Sequence, residues 1–314
     1  MIGSLAVDVG KGACRALWSA DGTDDTLGVG PGVPHISEPG APATIVTAIV
    51  AAADAASAPR DGIGTVCAGV TGLAEADHLA SHLARLLLDA LGARCAIVTG
   101  DAVTSHAGAL DGGAGVVVAA GTGSVALGVD PSGRHAKVDG QGYLLGDQGS
   151  GFAVGRRGLA SAVRHLDGRG GSAALAALAE RVYGPLDHLA AAVYASDNPP
   201  ATVARFAPPV AEAARSGDAD AIAIWRDAAD ELAVTATTAL ERLDWTEDEV
   251  PLSWTGRLFD AGDVLWDRFA ASVAARAPRL TLQPPRGDAL SGAAYLARVG
   301  ESALHRALLY LERR

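Results

Sequence analysis

The sequence predicts an α/β protein of two similar lobes that enclose a cleft. Residues 4–18 and 115–129 each read as a strand, a glycine turn and a second strand, and their offset of about 110 residues indicates a duplicated unit. Stretches with helical periodicity follow each segment, which is typical of layered α/β folds. The length of 314 residues makes two domains the expectation, and hydrophobic residues at 49% of the chain can supply a sizeable core.

Hydrophobic periodicity assigns the elements in chain order. Strands are predicted at residues 4–9, 13–19, 65–70, 95–99, 115–120, 125–129, 251–255 and 280–282. Helices are predicted at 43–58, 79–90, 263–277 and 288–312, and residues 152–243 are mostly helical, with breaks at 168–171, 198–200 and 216–217. Glycine or proline stands at each of these breaks, as expected where helices end.

The first glycine turn follows a strand that ends in a carboxylate. Asp8 closes the apolar run, and Gly10, Lys11 and Gly12 form the turn. Glycine lets backbone N–H groups point at a phosphate, and a carboxylate beside them can hold a hydrated Mg²⁺. Taken alone, Asp8 equally fits a solvated turn acid. A second turn of the same kind makes metal and phosphate positioning the favoured interpretation.

The second turn interrupts an apolar run with the residues Gly121, Thr122, Gly123 and Ser124. Its glycines and hydroxyls could cradle a phosphate, although such a tetrapeptide is also a common hairpin turn. A glycine- and serine-rich loop at residues 146–151 follows and contains one acid, Asp147. An anion-cradling turn followed by a small polar loop with a carboxylate suggests a phosphoryl-transfer site.

A third candidate lies between the two turns. Asp101 comes just after the predicted strand at 95–99 and opens a helical stretch. An aspartate at that position is a frequent helix N-cap. The carboxyl end of a strand is also where α/β folds place catalytic groups, so Asp101 could instead accept the proton of an attacking hydroxyl.

With these motifs in this order, the chain resembles the BadF/BadG/BcrA/BcrD-type group, which includes N-acetylglucosamine kinase, within the hexokinase–actin–heat-shock ATPase superfamily. The resemblance rests on Asp8–Arg15, on GDAVTSHAGAL at 100–110, on the turn at 121–124, on 140–151 and on SWTGRLF at 253–259. It implies two ribonuclease H-like (actin-like ATPase) lobes, the first at 1–105 with a C-terminal helix at about 298–314, the second at 106–297.

The resemblance also implies roles for individual residues. Asp101 would be the catalytic base, and Asp8 would hold the metal. The nucleotide would contact Asp8, Gly10, Lys11, Gly12, Gly121, Thr122, Gly123, Ser124, Thr255 and Gly256. The sugar would contact Thr71, Gly72, Gly140, Gln141, Gly142, Asp147 and Gln148. Thr71 and Gly72 fit an ordinary strand-to-helix loop equally well.

The implied activity is an ATP- and Mg²⁺-dependent kinase that phosphorylates an amino sugar or N-acetylhexosamine at the 6-hydroxyl. Two alternatives stay open: an ATPase or activator coupled to a protein partner, and a non-catalytic sugar-sensing relative. The chain departs from the family pattern with Gly12 for a hydroxyl residue, Gln141 for tryptophan, Gln148 for glutamate and Arg257 for glycine. The motifs therefore do not name the sugar.

Composition restricts the partners and the compartment. A net charge of −11 argues against nucleic acid or an anionic membrane as the main partner. The uncharged stretch 112–129 is rich in glycine and reads as a hairpin, not a spanning helix. No basic segment follows Met1, and the scattered Cys14, Cys67 and Cys95 favour reduced thiols and a cytoplasmic location. The family resemblance implies a homodimer.

Overall fold

Two mixed β-sheets organise the chain into two α/β units in a computed structural model that describes residues 2–34, 36–73 and 77–314. Unit 1 comprises Met1–Val117, Val129–His135 and Pro284–Arg314, and unit 2 comprises Val118–Gly128 and Ala136–Gln283. The predicted fold class, α/β with two lobes, is confirmed. The units differ from the expected lobes in that residues 106–117, 129–135 and 284–297 lie in unit 1.

Unit 1 is built on a six-stranded sheet with the order β11-β5-β4-β1-β2-β3. Its strands, numbered in chain order, are β1 Gly3–Val9, β2 Ala13–Ala20, β3 Thr26–Pro31, β4 Ile63–Val70, β5 Cys95–Gly100 and β11 Tyr310–Arg313. Its helices are α1 Ala41–Ala55, α2 Ala80–Leu91, α3 Asp101–Ala109 and α11 Ala289–Val299. β1, β4 and β5 run parallel, while β2, β3 and β11 pair antiparallel to their neighbours.

The central strands of unit 1 are covered on both faces, which explains their nearly continuous apolar sequences. On one face, Leu5 and Val7 of β1 join Ile49 of α1 and Leu87 of α2 in a single buried core. On the other face, a β-carbon added at Gly69 of β4 would strike the side chain of Thr104 on α3. The sheet therefore carries α3 on the face opposite α1 and α2.

Helices α3 and α11 approach each other backbone to backbone. A β-carbon added at Gly292 of α11 would strike the carbonyl oxygen of Thr104 and the amide of Gly108, both on α3. A β-carbon added at Gly108 would strike the carbonyl oxygen of Asp288, just before α11. Small residues at this crossing fix the position of α3, and so of its first residue, Asp101.

A buried histidine pair ties α3 to the C-terminal segment. His106 Nε2 lies 3.0 Å from the carbonyl oxygen of Gly115, and His106 Nδ1 lies 2.8 Å from His305 Nε2. Because a carbonyl only accepts, Nε2 of His106 carries the hydrogen, so His305 Nε2 donates to Nδ1. His106 must be neutral to accept this bond at Nδ1. Burial lowers the pKa of His106 to about 3, with His305 contributing, and lowers the pKa of His305 to about 4.

Unit 2 is built on most of a five-stranded sheet with the order β10-β9-β6-β7-β8, in which residues 115–117, 129 and 135 belong to unit 1. Its strands are β6 Gly115–Ala120, β7 Ser124–Val129, β8 His135–Asp139, β9 Val250–Thr255 and β10 Leu280–Leu282. Its helices are α4 Gly151–Leu166, α5 Ala173–Tyr183, α6 Leu189–Tyr194, α7 Pro199–Ala204, α8 Ala207–Arg215, α9 Ala219–Glu241 and α10 Asp263–Arg276. Side-chain N-caps at Ser150, Ser172, Asn198 and Asp218 start four of these helices.

The predicted helix over 288–312 is confirmed as far as Val299, and the expected C-terminal helix at about 298–314 is wrong. Helix α11 ends at Val299, where Gly300 leaves the helical conformation with a positive φ of 53°. The chain then passes through short 3₁₀ turns, and Tyr310–Arg313 pairs antiparallel with β5. The spacing of Leu304, Leu308 and Leu311 predicts a helix. The segment forms a strand instead because its backbone N–H and C=O groups pair with the otherwise unpaired edge of β5.

Two strands, β3 and β8, were also absent from the sequence-based assignment, since glycine, proline or charged residues interrupt their alternation. Cys14, Cys67 and Cys95 are free thiols. Within the described ranges, no helix combines the length and apolar character needed to cross a bilayer.

Replacing Gly292 with alanine should destabilise unit 1, because the added methyl group meets backbone atoms that cannot move independently. We expect a loss of about 1–3 kcal/mol, the usual cost of overpacking, measured by urea unfolding. Gly12→Ala is the matched control, since a β-carbon there meets nothing within 4 Å. Equal losses in the two variants would contradict the close approach of α3 and α11.

The histidine pair should make stability depend on pH. A histidine with a lowered folded pKa contributes stability that is present above its unfolded pKa, near 6.5, and is lost as the pH falls below that value. His305→Gln keeps the donor to His106 but removes one titration. The wild type should therefore lose about 2 kcal/mol more than the variant between pH 6.5 and pH 5. His165→Gln, on an exposed ring, is the control, and parallel pH profiles for wild type and His305→Gln would refute the pairing.

Candidate functional site

Three polar candidates of unit 1 lie along one edge of its sheet. Val9 of β1 pairs with Val70 of β4, which pairs with Gly100 of β5, so the three parallel strands end together. The amide of Thr71 donates to the carbonyl oxygen of Val9 at 3.2 Å. Asp8, Thr71 and Asp101 therefore stand at the carboxyl edge, where α/β folds carry their sites.

Asp101 is the first residue within α3 and is half-buried. The N-cap position belongs to Gly100, which has an extended backbone and makes no side-chain cap bond. The N-cap interpretation of Asp101 is therefore wrong. A carboxylate in the first turn is favoured by the partial positive charge of the helix start. The side chain of Thr104 donates to the Asp101 carbonyl oxygen at 3.0 Å and fixes this turn.

Asp8 is held by a guanidinium. Arg15 lies directly across the β1–β2 hairpin from Asp8, and its Nε and Nη2 donate to Asp8 Oδ2 at 3.2 and 2.7 Å. Its Nη1 donates to Asp288 Oδ2 at 2.8 Å. Asp288 in turn caps α11 by accepting the amide of Ser291 at 3.0 Å. One guanidinium thus joins the first turn to the helix that packs on α3.

Arg15 and Asp288 favour each other's ionised forms, and Asp8 favours that of Arg15. Burial opposes ionisation of Arg15, but Asp8 and Asp288 more than offset it, so the pKa of Arg15 lies above its usual value. Burial likewise opposes ionisation of Asp288, and the bonds from Ser291 and Arg15 place the pKa of Asp288 below its usual value. The sequence-based analysis gave Arg15 and Asp288 no roles, because residues this far apart in the sequence leave no local signal. The one available signal was the position of Asp288 at the start of a predicted helix, where aspartate is a common N-cap.

The tip of the first turn is open. Lys11 and Gly12 are exposed, and a β-carbon at Gly12 would meet nothing within 4 Å. The amide of Gly10 closes the hairpin by donating to the carbonyl oxygen of Ala13 at 3.0 Å. The turn therefore has room for a larger residue at position 12.

In unit 2, the start of α4 binds the second turn. The amides of Gly151 and Phe152 donate to the carbonyl oxygens of Gly121 and Thr122 at 2.8 and 3.0 Å. The amide of Gly121 donates within the turn to the carbonyl oxygen of Gly123 at 2.8 Å, so the amides of Thr122 and Gly123 and the Thr122 hydroxyl are the groups that could bind a phosphate.

The loop at 146–148 lies against this turn. Asp147 Oδ1 accepts the amide of Ser124 at 3.2 Å, and the Ser124 hydroxyl donates to the carbonyl oxygen of Gln148 at 2.7 Å. A β-carbon at Gly123 would come within 2.8 Å of Asp147 Oδ2, so only glycine leaves room for the carboxylate. The turn expected to bind phosphate and the loop expected to bind sugar are therefore bonded to each other. The buried Ser124 hydroxyl donates its hydrogen to the loop and not to the turn itself.

Asp139, at the end of β8, anchors the same loop and was missed in the sequence. Its Oδ1 accepts the amide of Asp147 at 2.7 Å and its Oδ2 accepts the amide of Gln148 at 2.8 Å. The available signal was an Asp-Gly turn after a short polar strand. Between these anchors, Gln141 and Gln148 are exposed, while Gly140 and Gly142 have positive φ values of 66° and 78°.

The distant motif at 253–259 reaches the second turn through Gly256. Gly256 has a φ of 96°, and a β-carbon there would strike the carbonyl oxygen of Ala120, the residue before the turn. Thr255 ends β9 beside it. Trp254 packs on Trp266 of α10 with ring centroids 4.4 Å apart. The structure therefore brings Gly256 against Ala120, the residue that precedes the turn at 121–124.

Metal ligands are sparse. Across the described part of the chain, no group of three or more histidine, cysteine, aspartate or glutamate side chains is arranged to hold a metal ion. Both recorded bonds to the Asp8 carboxylate go to Oδ2. A single carboxylate of this kind suits Mg²⁺, which keeps several waters and takes its other ligands from substrate phosphates.

Comparison with known proteins identifies relatives of this chain. The chain is 28% identical over 204 residues to the N-acetylmuramic acid/N-acetylglucosamine kinase of Clostridium acetobutylicum, which covers 64% of this chain and 67% of that protein. It is 27% identical over 243 residues to the N-acetyl-D-glucosamine kinase of Dictyostelium discoideum, covering 75% of each.

A solved structure from Chromobacterium violaceum, provisionally assigned as an N-acetylglucosamine kinase, superposes with a TM-score of 0.75 at 28% identity. The superposition covers 95% of this chain and 99% of that one. The sequence model of the BadF/BadG/BcrA/BcrD ATPase family matches residues 5–295. Because this match spans nearly the whole chain, the protein belongs to the BadF/BadG/BcrA/BcrD ATPase family.

Proposed function

We propose that this protein is an ATP-dependent kinase that phosphorylates an amino sugar or N-acetylhexosamine at its 6-hydroxyl. The observation that carries the proposal is the junction of the 146–148 loop with the 121–124 turn through Asp147 and Ser124. A kinase must bring its acceptor to the phosphate that it transfers, and this junction joins the residues expected to bind each. Two relatives named as N-acetylglucosamine kinases supply the substrate class.

ATP is held through backbone donors. The 121–124 turn and Thr122 bind phosphate oxygens, and Gly256 lies beside them for the adenosine. Gly10, Lys11 and Gly12 supply the first turn, where the ammonium of Lys11 adds a mobile cation in a chain of net charge −11. When bound, Mg²⁺ would neutralise charge on the β- and γ-phosphates. Asp8 would hold the ion through water, and Arg15 keeps that carboxylate oriented.

Asp101 acts as the general base. It accepts the proton of the sugar hydroxyl as the new oxygen–phosphorus bond forms, and the bond between the γ-phosphorus and the bridging oxygen breaks to release ADP. Asp147, Gln148 and the glycines at 140 and 142 bind the sugar, with Gln141, Thr71 and Gly72 as further contacts. The tight crossing of α3 and α11 keeps the Asp101 backbone fixed during this step.

The proposal is tested by ADP release from Mg-ATP in the presence of hexoses, amino sugars and N-acetyl sugars. Release stimulated by an amino sugar or N-acetyl sugar supports the kinase and identifies the substrate. Slow release that ignores sugars would point to an ATPase coupled to a protein partner. Nucleotide binding without release would point to a sugar-sensing relative.

Asp101→Asn should lower kcat by a factor of about 10²–10⁴, the usual contribution of a general base, with the sugar KM changed less than severalfold. The amide keeps the shape of the carboxylate but cannot accept the proton. Asp111→Asn is the matched control, because Asp111 lies just beyond the other end of α3 and is exposed. Full turnover by Asp101→Asn would exclude the base role.

Gly12→Thr should restore a hydroxyl donor to the first phosphate turn. The open space at position 12 accommodates the side chain without loss of stability. One added hydrogen bond to a charged phosphate is worth about 1.5–3 kcal/mol, so the KM for ATP should fall by about 10- to 100-fold. Gly12→Val, which has the same shape without the hydroxyl, is the control. An equal KM in both variants would show that residue 12 does not face the phosphates.

A further inference from the structure

We propose that Asp139 is a positioning residue that couples sugar binding to nucleotide binding within unit 2. The inference rests on the proposed function, since it takes the 146–148 loop as part of the sugar site and the 121–124 turn as part of the nucleotide site. Asp139 touches neither ligand. It acts by holding the loop that joins them.

The first step is the hold of Asp139 on the loop. Its two carboxylate oxygens accept the consecutive amides of Asp147 and Gln148 at 2.7 and 2.8 Å. Bonds from N–H groups to an ionised carboxylate are stronger than neutral ones. A β-carbon at Gly146 would strike Asp139 Oδ1, so the loop backbone lies directly on the carboxylate.

The second step is the hold of the loop on the turn. The Asp147 carboxylate accepts the amide of Ser124 at 3.2 Å, while the Ser124 hydroxyl donates back to the Gln148 carbonyl at 2.7 Å. Asp147 and Gln148 are the residues whose amides Asp139 binds. A shift of either residue therefore reaches both Asp139 and the turn.

The third step is that the backbone around Asp139 and the 146–148 loop is held in a fixed conformation. Asp139 and Asp147 both have left-handed backbones, with φ values of 62° and 57°, a conformation that costs free energy in residues other than glycine and persists where the surroundings impose it. Lys137 Nζ donates to the carbonyl oxygen of Gly140 at 3.2 Å, and Arg242 Nη1 donates to that of Lys137 at 2.9 Å. The start of the loop is fixed as well.

Coupling follows from these contacts. A sugar that bonds to Asp147 pulls on a carboxylate already bonded to the phosphate turn, so it must change the arrangement of Ser124 and its neighbours. A nucleotide bound at the turn must change the sugar site by the same free energy, because such coupling is reciprocal. Asp139 is needed for this coupling because it holds the amides of Asp147 and Gln148. Without these bonds, the loop could move on sugar binding without moving the turn.

The test measures the Kd of Mg-ADP by calorimetry with and without a saturating amount of the most active sugar in the panel. In the wild type we expect the sugar to change this Kd by about fivefold or more, a typical coupling. Asp139→Asn leaves one loop amide facing an NH₂ donor. Its coupling factor should fall toward one, and its Kd for the sugar should rise about tenfold or more.

The matched control is Asp130→Asn in unit 1. Asp130 also accepts two backbone amides, those of Ser132 at 2.9 Å and Arg134 at 3.0 Å, so the change removes a similar structural role elsewhere. It should keep the wild-type coupling. Should Asp139→Asn fail to fold, Ser124→Ala removes the bond to Gln148 and should weaken the coupling by itself.

The outcomes are distinguishable. A wild type that binds no sugar refutes the proposed function, and this inference with it. A wild type that binds both ligands, with unchanged coupling in Asp139→Asn or in Ser124→Ala, refutes the inference and leaves the kinase proposal intact. Equal loss in Asp139→Asn and Asp130→Asn would reduce Asp139 to a general structural residue and overturn the inference.

Discussion

The arrangement of unit 1 depends on one guanidinium shared by two carboxylates. Arg15 binds Asp8 on the first turn and Asp288 at the start of α11. The helix that begins after Asp288 crosses α3 through Gly292 and Gly108 with no space for a side chain. The position of Asp101, at the start of α3, is thus tied through backbone contacts to the carboxylate of Asp8. These ion pairs are partly exposed, and exposed pairs contribute at most about 1 kcal/mol each, so this network matters for geometry more than for stability.

In unit 2, the 146–148 loop is positioned by Asp139, a carboxylate that accepts two backbone amides. The loop at 140–149 is rich in glycine and presents Leu144 and Leu145 to solvent at 80% and 86% exposure. Among the described residues, its one aromatic contact is that of Tyr143 with Phe152, at 5.0 Å between ring centroids, so apolar burial contributes little to its shape. Asp139 and Asp147 hold it with bonds to amides instead. Charge-assisted bonds of this kind give a loop a definite shape where packing cannot.

Much of this fold could be predicted because its signals are local. The two strand–turn–strand segments, the Ala-rich helix α1 and the turn at 121–124 all follow from periodicity and glycine placement. What could not be predicted are contacts across the sequence. The ion pair of Arg15 with Asp288 and the hydrogen bond between Asp147 and Ser124 join residues far apart in the sequence. No local pattern of residues therefore predicts them. The C-terminal strand was mistaken for a helix because Leu304, Leu308 and Leu311 recur at helical spacing, whereas the strand at Tyr310–Arg313 is fixed by pairing with the edge of β5, which no local pattern shows.

The central claim is transfer of the γ-phosphate of ATP to the 6-hydroxyl of an amino sugar or N-acetylhexosamine. The most direct measurement is ³¹P NMR of the products formed from Mg-ATP and each sugar. The account predicts a phosphomonoester resonance coupled to the two protons on carbon 6, formed in step with ADP. Inorganic phosphate as the sole new product, or a phosphate coupled to a different sugar position, would contradict it.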